Sequence, residues 1–187
     1  MQLLAHELAT TELVVHSASS PELLQALRQE EMDIAFVRPD DGIRDLAFKP
    51  LIEETLFVLL PAEHRLARRR SVRPQDLRQE PLVSFAAAYS PVLRRVIDDY
   101  LGQHDVDATP LHEAETLPMV VSFLLSSGGV TLLPDYMRGL LPASVVARPL
   151  TGTPPKIPLA LGYRSGNNSP LLGYVLARVG DLVRSEP

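Results

Sequence analysis

Two stretches in the middle of this chain carry the same apolar spacing. Leu93, Val96, Ile97, Tyr100 and Leu101 recur at i, i+3, i+4, i+7 and i+8, and Leu117, Val120, Val121, Leu124 and Leu125 repeat the pattern. That spacing puts an apolar stripe along one side of a helix. Short apolar runs of the strand type lie around them, at residues 33–37, 82–85 and 130–133. A chain that alternates short buried strands with one-sided helices must layer helices on a sheet. The expected class is therefore α/β, with mostly parallel strands.

Local signals fill in the rest. Residues 2–9 can form a short helix, and residues 12–17 read as a strand. For the next helix there are two possible caps. Pro21 favours the first helical position and makes Ser20 the N-cap, whereas the Ser19-x-x-Glu22 spacing makes Ser19 the cap of a capping box. Arg38-Pro39-Asp40-Asp41-Gly42 is a turn-rich stop after the strand at 33–37. Residues 46–54 and 56–60 read as two further strands, and residues 65–78 are basic without clear periodicity. Ser90-Pro91 opens the helix that Gly102 ends, and Gly128 is a natural stop for the second helix. Strands are expected near 109–113, 145–150 and 157–163, with 151–155 as a linker. Ser169-Pro170 opens a last helix with Leu172, Val175, Leu176, Val179, Leu182 and Val183 on one face.

Composition removes whole classes of function. With 187 residues there is room for one large domain or two small ones. The absence of cysteine excludes disulfides and thiolate metal sites. The five histidines show no metal-ligand spacing, and no apolar run is long enough to span a bilayer. The first residues lack the basic start and long apolar core of a signal peptide, so a cytoplasmic location is expected. Net charge is −5, from 23 acidic and 18 basic side chains, which gives no overall electrostatic footprint for nucleic acid. No G-x-S-x-G or S-x-x-K occurs, so nucleophilic catalysis has no foothold, and no enzyme activity is expected.

Four blocks occur in fixed order: Glu31-Met32-Asp33-Ile34-Ala35-Phe36-Val37-Arg38, Leu59-Leu60-Pro61-Ala62-Glu63-His64-Arg65-Leu66, Asp76-Leu77-Arg78-Gln79-Glu80-Pro81-Leu82-Val83, and Ser126-Ser127-Gly128-Gly129-Val130-Thr131-Leu132-Leu133-Pro134. Together they resemble the effector-binding half of LysR-type transcriptional regulators, over about three quarters of the chain. The resemblance implies two Rossmann-like lobes of the periplasmic-binding-protein kind, joined by a two-crossing hinge. Residues 1–60 with 157–187 would form lobe I, and 61–156 lobe II. The implied role is sensing of a small organic acid, aromatic or dicarboxylic, without a cofactor or metal. A homodimer or tetramer is implied, with DNA reached only through a domain not in this chain and with no membrane partner. The family's winged helix-turn-helix, linker helix and opening "L-x-I-G" strand have no counterpart here. A solute-binding protein of a transporter and a small-molecule enzyme on the same fold are the rival readings.

Candidate effector contacts come from chemistry and from the resemblance. Helix N-termini at the carboxyl ends of strands offer free N–H groups and a positive dipole end to an anion. Ser19 and Ser20 open one such helix and Ser90 another; plain capping is the competing role. Within the family, the benzoate- and muconate-responsive members align without gaps over residues 20–66. Their effector-contacting threonine matches Ser20, their cleft leucine Leu51, and an arginine after the acidic strand Arg38. A second arginine is replaced by Ile52. Their Pro-x-Phe contact matches Pro91 and Leu93, and Phe85 begins the small apolar loop before it. Arg38 can grip a carboxylate bidentately, or else pair with Asp40, Asp41 or Asp45. Asp33 is expected to cap a helix–strand junction.

Overall fold

The computed structural model describes residues 14–40 and 42–184, and the side chains up to residue 179. The elements, in chain order, are α1 (Ser20–Arg28), β1 (Ile34–Val37), β2 (Leu46–Pro61), β3 (Val83–Phe85), α2 (Pro91–Gly102), β4 (His112–Ala114), α3 (Leu117–Ser127), β5 (Thr131–Pro134), β6 (Val145–Pro149), β7 (Lys156–Arg164) and α4 (Pro170–Arg184). Short 3-10 turns span Arg65–Arg68, Pro74–Leu77 and Asp135–Leu140. The helix expected at residues 2–9 lies outside the described residues. So does the start of the strand expected at 12–17. Residues 14–17 are not strand, and Val14 and Val15 are exposed.

The chain divides into two compact units. One holds the residues up to Ile52 and those from Pro158 onward; the other runs from Glu53 to Ile157. The chain passes between them twice, first inside β2 and later inside β7. Residues 46–60, read from sequence as two strands, lie in one continuous 16-residue strand, Leu46–Pro61. The first crossing between these units falls within that strand, at 52–53.

In the first unit, β1 pairs antiparallel with β7, Ile34 opposite Tyr163 and Val37 opposite Ala160. Alternation along β1 serves both faces of the sheet. Ala35 and Val37 join Leu24, Leu27 and Leu46 under α1. Ile34 packs instead with Leu161, Val175 and Val179, which fixes α4 on the other side.

The second unit has one large core. Leu56, Val58, Leu59 and Leu60 of β2 are fully buried in it. β2 pairs antiparallel with β5, Val58 opposite Leu132, and with β6, Leu59 opposite Ala147. β3 pairs parallel with β4, and Leu82 bridges Val130 in parallel. The expectation of a mostly parallel sheet is thus corrected: the pairings of β1 with β7 and of β2 with β5 and β6 are antiparallel. Both β5 and β6 pair with the same end of β2, residues 56–61, which places them on its two edges.

α3 ends at Gly128, whose φ of 65° is the left-handed helix stop expected of glycine. The next residue, Gly129, is needed for a different reason. A Cβ there would lie 2.4 Å from the Pro81 carbonyl oxygen, which is fixed because it accepts the Val130 N–H at 2.8 Å. Backbone, unlike a flexible side chain, cannot swing away. Gly129→Ala is expected to destabilise the second unit by about 1–3 kcal/mol in denaturant melts; an unchanged midpoint would show that the 81–82 segment moves freely.

The basic stretch 65–78 is ordered by its carboxylates. His64 opens the first 3-10 turn: its Nδ1 accepts the Leu66 N–H at 3.1 Å, leaving Nε2 to face Glu80 at 3.0 Å. Asp76 accepts from Arg69 at 2.8 Å, from the Arg73 side chain at 3.0 Å and from the Arg73 backbone N–H at 3.0 Å. The Arg73 side chain first, then its N–H and the charges of Arg69 and Arg73, hold the Asp76 carboxyl below its usual range. The unfolded chain therefore takes up a proton at a pH where the folded chain does not, and stability falls as pH drops through the acid range. Asp76→Asn is expected to lose about 1–3 kcal/mol near neutral pH and to flatten the acid limb of a stability-versus-pH curve below about pH 4; an unaltered acid limb would remove Asp76 from that account.

Candidate functional site

The first helix start is built from both serines, each in a different job. Ser19 is the N-cap, in extended conformation, with both arms of a capping box formed. Its N–H and hydroxyl donate to the Glu22 carboxylate at 2.9 and 2.7 Å, and its oxygen accepts the Glu22 N–H at 3.4 Å. The Ser19 hydroxyl and N–H hold the Glu22 carboxyl below its usual value. Ser19 is buried. Ser20 is the first helical residue, and its hydroxyl accepts the Arg38 N–H at 3.2 Å. The end of β1 is thereby tied to the start of α1.

Arg38 follows β1 directly, and its guanidinium donates through Nη1 to the Pro158 carbonyl oxygen at 3.1 Å. Asp45, one of its three possible ion-pair partners, is taken by Arg28, which donates to it at 2.5 and 3.3 Å. The structure thus brings Ser20 and Arg38 together. Leu51 is half-buried and packs against the Leu161, Val175 and Val179 group beneath α4, whereas α1 covers the other cluster. Asp33 is exposed and forms no cap among the described contacts.

In the second unit, β3 leads through a turn at residues 86–89 into α2. The Tyr89 and Ser90 N–H groups both donate to the Ala86 carbonyl at 3.0 Å. Phe85 is buried and stacks on Tyr89 with ring centres 6.0 Å apart. Leu93 is buried too, facing the core, so within this unit both belong to the packing that holds the turn. Pro91 opens the helix. Ser90 is its N-cap but makes no capping hydrogen bond. The contrast within the molecule is informative. Ser19 caps α1 and Thr116 caps α3 by accepting the Met119 N–H at 3.4 Å. At α2, among the described residues, no side chain caps the first-turn N–H groups, which can then donate to an outside acceptor.

Beside this turn lies a cavity of about 620 Å³ lined by Ala87, Arg94, Asp98, Pro110, Leu111 and Glu113. Arg94 there donates to Asp98 at 2.7 Å, to Glu113 at 3.3 Å and to the Ala108 carbonyl at 2.9 Å. Two carboxylates against one guanidinium make the cavity unsuited to an anion. Sequence reasoning passed over Ser84 and Thr131, the polar side chains of β3 and β5. Both are buried, and neither hydroxyl meets a hydrogen-bond partner among the described residues. Their only sequence signal is a single hydroxyl inside an otherwise apolar strand.

Among the described residues no group of three or more His, Cys, Asp and Glu side chains is placed to hold a metal ion, and no helix is long and apolar enough to cross a membrane.

With this geometry in hand, the likeness to known proteins is clear. Residues 2–182 match the model of the LysR substrate binding domain, and the chain belongs to that family. It is 26% identical over 161 residues to the Hca operon transcriptional activator HcaR of Escherichia coli K12, covering 86% of this chain and 54% of the relative. It is 30% identical over 125 residues to the transcriptional dual regulator GltC of Bacillus subtilis, covering 66% and 41%. The chain thus spans about half the length of the curated relatives it matches. The effector-binding domain of BenM, solved with its effector benzoate, has the same fold: TM-score 0.82 at 17% identity, over 100% of this chain and 86% of that one.

Capping at α1 predicts a separation of effects. Ser19→Ala is expected to cost about 1 kcal/mol in thermal or urea unfolding, as loss of an N-cap does. Ser20→Ala, which keeps the capping box, should cost less. Equal losses would mean that the Ser20–Arg38 bond, and not the cap, secures this helix.

Proposed function

We propose that this chain is the effector-sensing domain of a transcription regulator and that its effector is a small organic acid, aromatic or dicarboxylic. The observation that carries the reading is the uncapped start of α2. Among the described residues Ser90 makes no side-chain capping bond to the first turn, where Ser19 and Thr116 cap theirs. A helix start in this state favours a carboxylate through hydrogen bonds and the helix dipole together. In the first unit the Ser20 hydroxyl accepts the Arg38 backbone N–H, and the Arg38 guanidinium donates to the Pro158 carbonyl; both side chains are candidates to turn to an acid. The benzoate bound by BenM, a protein of the same fold, is an acid of the proposed class.

Function follows as linkage. An acid that contacts one conformation of the domain better than another shifts the population toward it. The shift changes the contacts between copies in a dimer or tetramer, and with them the spacing of attached DNA-binding domains. Coupling of about 1–3 kcal/mol suffices for such control. The role requires binding and release of the acid unchanged, and so no enzyme activity. It places the protein in the cytoplasm, where transcription occurs.

The test is a thermal-shift series with benzoate, muconate, salicylate and common dicarboxylates, on wild type, Arg38→Ala and Ser90→Ala. At about 100 times its dissociation constant, a true effector adds about 2.7 kcal/mol of stability. We expect a rise in wild type that shrinks in both variants. A rise undiminished in Arg38→Ala would take Arg38 out of the site, and no rise with any acid would discard the effector class.

A further inference from the structure

The overall acidity of the chain conceals a local reversal. The segment from Arg65 to Glu80 carries six arginines against two carboxylates, while the remaining residues hold 12 basic and 21 acidic side chains. All six, Arg65, Arg68, Arg69, Arg70, Arg73 and Arg78, are exposed. Exposed charge runs are usually flexible and merely solvated. This one is set on a frame: Leu66, Ala67, Val72, Pro74 and Leu77 are buried beneath it, and Val72 bridges Leu150.

The charges are also gathered. Asp76 holds Arg69 and Arg73 on its carboxylate and Arg65 on its backbone carbonyl, the last at 3.2 Å. A further cation comes from a distant part of the sequence. Arg148 of β6 donates to the Ala67 carbonyl at 2.9 Å and to that of Ala147 at 2.8 Å, and among the described residues it meets no carboxylate. Among the described residues, ion pairs engage Arg65, Arg69, Arg73 and Arg78 but not Arg68 or Arg70. Arg65 pairs with Glu80, and Arg78 reaches Asp105 at 4.0 Å; the neighbouring guanidiniums still repel one another, and three carboxylates cannot neutralise six arginines and Arg148. An anion from outside would remove that repulsion.

We infer that this arginine face of the second unit is a contact surface for the phosphate backbone of double-helical DNA, without reading of base sequence. The cations are all arginine, whose planar fork suits phosphate oxygens. Phosphate contacts position a protein on a duplex and need no base-reading element. Curated relatives of this chain are transcriptional regulators, so duplex DNA is the polyanion such a domain meets at high local concentration. The contact adds to a dedicated DNA-binding domain and does not replace it. It stands independently of the effector, because no residue of the acid site takes part.

The experiment is fluorescence anisotropy of a labelled 20-base-pair duplex of arbitrary sequence titrated with this chain, without any acid, between about 20 and 200 mM salt. Wild type is compared with Arg68→Ala/Arg70→Ala, with Arg68→Glu/Arg70→Glu, and with Arg44→Ala, an exposed arginine of the first unit. The duplex is then challenged with polyglutamate. Among the described residues Arg68 and Arg70 make no ion pair or side-chain hydrogen bond, so unchanged melting curves verify that the variants fold. We expect salt-dependent binding by wild type and by Arg44→Ala. The double alanine variant should bind about 10- to 100-fold more weakly at low salt, with a log–log salt slope lower by about 2, and charge reversal should abolish binding. The inference is overturned by no saturable binding of duplex at the lowest salt, by equal weakening in Arg44→Ala, or by binding of polyglutamate with none of DNA, which would make the face a docking site for an acidic protein.

Discussion

The continuity of β2 is the constraint on which the rest depends. Sixteen residues run without a break from Leu46 to Pro61, and along the way the strand changes its surroundings completely. Its first half packs Leu46, and more loosely Phe48 and Leu51, into the two small clusters of the first unit. Its second half buries Leu56, Val58, Leu59 and Leu60 in the core of the second. Burying four such side chains contributes on the order of 6–12 kcal/mol before conformational entropy is counted. The position of β2 in the second unit is therefore not negotiable, and β5 and β6 take their antiparallel registers from it.

Helix starts show how one structural rule is used in two ways. Buried or half-buried N–H groups at a helix end must find an acceptor. At α1 the chain supplies it internally through Ser19 and Glu22, and Ser20 is released to bind the Arg38 N–H. At α2 the same residue type stands at the same position and makes no such bond. The difference lies in the backbone: Ser90 sits at φ −138°, ψ 68°, after a turn closed on the Ala86 carbonyl. Ser19 lies in the extended conformation that directs its oxygen back at the first turn.

Much was legible in the chain itself. The helical stripes of α2 and α3, the glycine stop at Gly128, the capping-box spacing at Ser19 and the order of the four blocks are all local patterns, written over a few residues. Periodicity and capping depend on neighbours in sequence, which is why they can be read there. The site was legible in part. Ser20 and Arg38, 18 residues apart, proved to be bonded to each other, but Arg38 reaches the Pro158 carbonyl, 120 residues on, which no local pattern encodes. Leu93 matches a ligand contact by resemblance and Phe85 opens the loop before α2; the burial of both side chains is set by the core of the second unit.

By itself, then, the sequence determined the α/β class, the family, the positions of the helices and the residue types at two helix starts, because these rest on local spacing and composition. Only the tertiary structure decided that β2 is one strand and not two, that its partners run antiparallel, that Arg94 is consumed by Asp98 and Glu113, and that Arg148 joins the arginines of residues 65–73. Each of these depends on which distant segments share a core. The reason is physical: long-range pairing is selected by the burial of whole faces, a property of the assembled sheet that no short window of residues contains.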